Sequence, residues 1–165
     1  MVFSKHILLV LFVCAGFSTA VFSQTLNPVK WEMTYNKISE TEGEIIVKAT
    51  IEDKWHIYSL KQNGDGPIPT SFKFIISPDF EPIGEVTEQE PENNYSEVFQ
   101  SNVLSFSKQA VFKQKIKRKN KKQFFIYGDL EFMSCNDVMC LPPRTIKIDV
   151  KIPEYKSSVK LKEAK

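Results

Sequence analysis

The stretch Phe132-Met133-Ser134-Cys135-Asn136-Asp137-Val138-Met139-Cys140-Leu141-Pro142-Pro143 carries two cysteines with four residues between them. It lies between two segments that read as strands. Phe124 to Phe132 is aromatic and β-branched. Arg144 to Ile152 alternates polar and apolar residues. If these segments are antiparallel neighbours, facing Cα atoms lie about 4.5–5.5 Å apart. A disulfide needs less than about 7 Å. Cys135 and Cys140 can therefore bond across the mouth of the hairpin, and the rest of the chain reads as a scaffold that presents them.

Spacing alone leaves the use of such a bond open. A loop this short gives a staple only about 2 kcal/mol, against nearly 5 for a loop of about 100 residues. A modest hairpin clip and a redox pair are both compatible with it. A thioredoxin-type site needs Cys-x-x-Cys at a helix N-terminus. Here the spacer is longer, and Pro142-Pro143 oppose a helix starting at Cys140. Structural zinc needs four ligands, and beyond residue 23 the chain offers Cys135, Cys140 and His56. No metal site is expected. A Cu(I) carrier using Cys135, Cys140, Met133 and Met139 is a minor alternative, since soft sulfur ligands suit that ion.

Residues 1–23 read as a secretory leader. Lys5 and His6 precede the apolar run Ile7 to Phe17, and the small residues Ser18, Thr19 and Ala20 follow. The run is short of the ~20 residues a membrane span needs, so no stable membrane insertion is expected. Cys14 lies in the leader and is expected to leave with it. Export places the remaining chain in an oxidising compartment, where two cysteines are expected to pair. The roughly 140 residues left suit one domain, assigned to 24–153, with a polar Lys-rich tail at 154–165. The net charge of +2 indicates neither nucleic acid nor a membrane surface as partner.

The pattern is β throughout. Strands are expected at Val29 to Tyr35, Glu44 to Ile51, Trp55 to Ser59, Ser71 to Ile76, Val103 to Phe106, Ala110 to Ile116, Gln123 to Glu131 and Thr145 to Ile152. Glu40 to Gly43 reads as a turn, and Gln62 to Pro69 as a loop. No window has a helical period. Short strands at this spacing predict an all-β sandwich. The basic run Lys113 to Lys122 reads as a solvated hairpin end, and the acidic run Glu81 to Glu97 as a solvated loop.

Two blocks carry a family resemblance. One is the strand ending at Phe132, the cysteine pair, and Pro142-Pro143. The other is Trp55-His56-Ile57-Tyr58, followed by Gly66-Pro67-Ile68-Pro69-Thr70-Ser71-Phe72. In order and distance they resemble the N-terminal periplasmic domain of the DsbD family of thiol:disulfide interchange proteins. The resemblance implies an immunoglobulin-like β-sandwich with no cofactor. It implies that Cys135 and Cys140 shuttle between dithiol and disulfide as a protein-disulfide reductase component in the periplasm. Cys140 would bond the partners and Cys135 would resolve the mixed disulfide. The electron donor would be a membrane-embedded DsbD-like protein on another polypeptide, and the acceptors periplasmic thioredoxin-like proteins.

The resemblance also implies a cap loop within Glu81 to Glu97 and an aromatic that shields the disulfide. Tyr95 is preferred for that role over Phe99. Tyr58 matches a family aromatic beside the cysteines. His56 replaces another, and is either a thiolate-favouring neighbour or a structural hydrogen-bonding residue. Asp137 on the spacer disfavours a nearby thiolate. A rival reading from another class is an exported immunoglobulin-like binding module with an inert disulfide.

Overall fold

The computed structural model describes residues 26–62 and 66–155. The expected leader at 1–23 and residues 156–165 of the expected tail lie outside the described residues. Among the described residues the chain forms strands and no helix. In order they are β1 (Val29–Lys37), β2 (Glu42–Ile51), β3 (His56–Tyr58), β4 (Ser71–Phe74), β5 (Phe80–Glu88) and β6 (Glu92–Ser96). There follow β7 (Ser101–Ser107), β8 (Gln109–Arg118), β9 (Phe124–Phe132), β10 (Ser134–Cys135) and β11 (Arg144–Ile152).

Three antiparallel sheets result, ordered β1-β2-β8-β5, β10-β3-β7-β6 and β11-β9-β4. The residues dictate this through a period of two. Along β9, Phe124, Ile126, Leu130 and Phe132 are buried and Phe125, Tyr127 and Glu131 are exposed. On β8, Ala110, Phe112, Gln114, Ile116 and Arg118 point inward, and Lys113, Lys115 and Lys117 point to solvent. Ring contacts cross from the first sheet to the others: Trp31 to Phe132 (5.0 Å), Phe72 to Phe112 (5.3 Å) and Phe106 to Phe112 (5.7 Å). One apolar cluster runs through all three sheets. The architecture is an all-β, immunoglobulin-like sandwich.

Several expectations need correction. The acidic stretch Glu81 to Glu97 is not a loop but holds β5 and β6. On β5 a register shift between Ile83 and Thr87, with Gly84 at φ 66°, breaks the alternation that would have announced a strand. On β6 the sequence Glu-Asn-Asn-Tyr-Ser has no buried face, and the strand is held by pairing with β7. The basic run is not only a hairpin end. Its first half lies on β8, an interior strand, where Lys113 pairs with Glu44 (3.4 Å). Beyond the strand, Lys119 pairs with Glu81 (3.0 Å).

The turn after β1 spans 38–41, so Glu42 and Gly43 belong to β2. β4 stops at Phe74, and Ile75 and Ile76 are exposed. Backbone approaches closely at Gly128, where an added Cβ would stand 2.5 Å from the Lys73 carbonyl oxygen. The missing side chain is what lets β4 lie against β9.

Candidate functional site

After β9 the chain changes sheets. Ser134 and Cys135 pair with Ile57 and His56 of β3. Cys135 therefore sits on a short strand of the second sheet, just past the end of the β9–β11 ladder. Asn136 then builds a turn. Its Oδ1 accepts from the Val138 N–H (2.9 Å) and the Met139 N–H (2.8 Å). Its own N–H donates to the Met139 carbonyl (2.9 Å), and the Leu141 N–H donates to the Ser134 carbonyl (2.9 Å). Cys140 is thereby returned opposite Cys135 as an antiparallel bridge. The two are disulfide-bonded, with Cα atoms 4.0 Å apart. The cysteines are held together by a hydrogen-bonded turn as well as by the sulfur–sulfur bond.

The two sulfurs are unequal. Cys135 is 1 % exposed, while Cys140 is only partly buried at the edge of the same cluster. That cluster contains Tyr58, Val103, Met133 and Cys135, with Phe99 packed against it. It is separate from the main core. Phe99 stands edge-on to Tyr58, with ring centroids 6.0 Å apart. It lies in the 97–100 turn that joins β6 to β7, where its N–H donates to Ser96 Oγ (3.4 Å). Tyr95, preferred from the sequence as the shield, is 60 % exposed on β6 and outside this cluster. The aromatic packed over the disulfide's neighbours is Phe99.

His56 and Tyr58 share a face of β3. His56 Nε2 is hydrogen-bonded to the Tyr58 hydroxyl at 3.1 Å, and the rings meet edge-on at 5.3 Å. Burial lowers the His56 pKa, against the charges of Asp137 and Glu92, which raise it. Burial also pushes the Tyr58 hydroxyl well above the usual phenol range, so it stays protonated. A groove of about 390 Å³ opens beside the pair, with His56, Tyr95, Glu97 and Asp137 among its lining. Asp137 and Pro142 are exposed on either side of Cys140.

The structure thus gathers Cys135, Cys140, Tyr58 and Phe99 into one cluster and places His56 and Asp137 at its rim. The roles of Asn136 and Val103 were not anticipated. For Asn136 a signal existed, since Asn-Asp is a turn dipeptide whose side chain caps its own backbone. Among the described residues no three His, Cys, Asp or Glu side chains are grouped to hold a metal. Met133 packs in the apolar cluster and Met139 is about half exposed.

The family described as thiol:disulfide interchange protein DsbD, N-terminal, matches residues 23–152. No curated protein matches the chain. Among solved structures it is similar to the N-terminal periplasmic domain of ScsB from Proteus mirabilis, with TM-score 0.57 and 15 % identity. That match covers 76 % of this chain and 48 % of the other, so the chain spans about half the length of that relative. It is also similar to the Neisseria meningitidis DsbD N-terminal domain in the reduced form (TM-score 0.51, 15 % identity, 73 % and 85 % covered). A third similar structure is the complex between the DsbD N-terminal and PilB N-terminal domains of the same organism (TM-score 0.50, 14 % identity, 77 % and 88 % covered). At these identities the structural likeness establishes the fold. Among the described residues no helix is long and apolar enough to cross a membrane.

Proposed function

Because the chain belongs to the family of the N-terminal domain of the thiol:disulfide interchange protein DsbD, we propose that it relays electrons in the periplasm through Cys135 and Cys140. The donor is a membrane-embedded DsbD-like protein and the acceptors are thioredoxin-like proteins. In the reduced form, the Cys140 thiolate attacks one sulfur of an acceptor disulfide and a mixed disulfide forms. Cys135 then attacks the Cys140 sulfur. The Cys135–Cys140 bond forms, the bond to the acceptor breaks, and its electron pair leaves on the acceptor sulfur. The acceptor departs as a dithiol, and the donor reduces the Cys135–Cys140 bond again by the same exchange.

The observation that carries this reading is the unequal exposure of two cysteines held together by their own turn. The outer sulfur, Cys140, is the one a partner reaches, and the inner one, Cys135, waits beneath it. The Asn136 hydrogen bonds keep the two opposite each other when the bond is open. The complex known for the meningococcal relative, with a PilB N-terminal domain, is the kind of encounter this requires. A Cys135→Ala variant should accumulate a mixed disulfide with a thioredoxin-like acceptor, and Cys140→Ser should form none. Undiminished electron transfer by Cys140→Ser, followed by thiol alkylation, would exclude the mechanism.

A further inference from the structure

His56 stands directly opposite Cys135, as its pairing partner between β3 and β10. Side chains at facing positions of antiparallel strands lie on the same face, with Cβ atoms about 4.5–5.5 Å apart. The imidazole is therefore the cross-strand neighbour of the inner sulfur. Its orientation is fixed through Nε2 by the Tyr58 hydroxyl. With Nε2–H donating to the Tyr58 oxygen, Nδ1 is the unprotonated nitrogen, and among the described residues it makes no hydrogen bond, so it is left to accept a proton.

The charges around the ring come from every element packed on β3. Asp137 follows β10, Glu92 lies on β6, Glu97 lies in the β6–β7 turn, and Lys108 follows β7. Glu52, Asp53 and Lys54 precede β3 itself. Of these, Asp137 and Glu92 act on the ring and favour an imidazolium. Burial opposes it and is the larger effect while the sulfurs are bonded.

We propose that His56 is the acid–base partner of Cys135 in the relay. The inference rests on the exchange reading above and deepens it. When Cys135 turns on the mixed disulfide, its S–H bond breaks and the proton passes to the imidazole. The sulfur's electron pair forms the bond to Cys140. The bond from Cys140 to the acceptor breaks, and the departing acceptor sulfur takes up a proton. The imidazolium returns its own proton to water in the adjoining groove. A thiolate exists beside His56 only when the pair is reduced. Reduction therefore strengthens proton binding at His56, and the imidazolium in turn favours the Cys135 thiolate.

The test is a pair of titrations on the full chain. The His56 proton resonance, assigned by its loss in His56→Gln, is followed against pH in the oxidised protein and after reduction with dithiothreitol. We expect His56 to bind its proton about tenfold more tightly in the reduced form. In a Cys140→Ala background, the ultraviolet absorbance of the Cys135 thiolate should appear at higher pH in both His56→Gln and His56→Phe, again by about tenfold in proton affinity. His56→Phe keeps an aromatic ring on Tyr58 but carries no exchangeable proton. A His56 curve that is the same in both redox states would overturn the proposal. So would a thiol shift seen in the Gln variant and absent from the Phe variant, since packing would then be the cause. If Cys135→Ala traps no acceptor while the titrations remain coupled, the relay falls and the His56–Cys135 pair stands. Trapping with uncoupled titrations has the opposite meaning.

Discussion

Cys140 lies at the rim of a small apolar cluster and Cys135 at its bottom, and Phe99 packs against the same cluster with its ring edge-on to Tyr58. If Phe99 shields the sulfurs until a partner docks, Phe99→Ala should speed oxidation of the reduced pair by glutathione disulfide several-fold. Tyr95→Ala, with its ring already exposed on β6, should leave that rate within a factor of about two. Equal rates for Phe99→Ala and the unaltered protein would remove the shielding role. The cysteine pair is legible in its own spacing, whereas Tyr58 and an aromatic cover are expected only through the family resemblance; in the structure Tyr58 and Phe99 share the cluster of Cys135. The sequence reading favours Tyr95 over Phe99, and the structure packs Phe99, not Tyr95, against the cluster. That choice depends on the β6–β7 register, which pairs Tyr95 with Asn102. A slip of one residue sends every side chain of a strand to the other face, and nothing in Glu-Asn-Asn-Tyr-Ser marks an inner face.

The strands found from sequence are those with one apolar and one polar face, such as β2, β8, β9 and β11. The strands missed are those whose stability comes from neighbours. β5 is interrupted by a bulge and braced by Lys119, which follows β8. β6 is polar and held by backbone pairing to β7. β10 is two residues long, and only its pairing with β3 defines it. Close packing between elements hides in the same way. Gly128 on β9 reads as a weak point in a strand, yet it is the place where the Lys73 carbonyl of β4 comes closest. Gly128→Ala should push β4 from β9 and destabilise the protein by about 1–3 kcal/mol in denaturant unfolding, as overpacking does. A change of less than about 0.5 kcal/mol would mean that β4 is not held where the register puts it.

For the molecule as a whole, the main core and the disulfide cluster are separate bodies of packed side chains. The core spans all three sheets and includes neither cysteine. A shuttle requires this division, because it must remain folded in both redox states. Reduction should therefore cost only about 2 kcal/mol, the value of a short loop. The reduced protein should unfold in a single transition at a somewhat lower temperature, with its strand content intact beforehand. Loss of β-structure on reduction, seen by circular dichroism, would assign the bond a structural role.

The most direct measurement is the reduction potential of the Cys135–Cys140 pair, read by thiol alkylation after equilibration in glutathione or dithiothreitol buffers. Structural disulfides of exported proteins lie below about −300 mV, and exchange-active ones lie higher. A relay requires a potential clearly above that value with the reduced chain still folded. A potential below it would make the bond an inert clip and contradict electron transfer through this site.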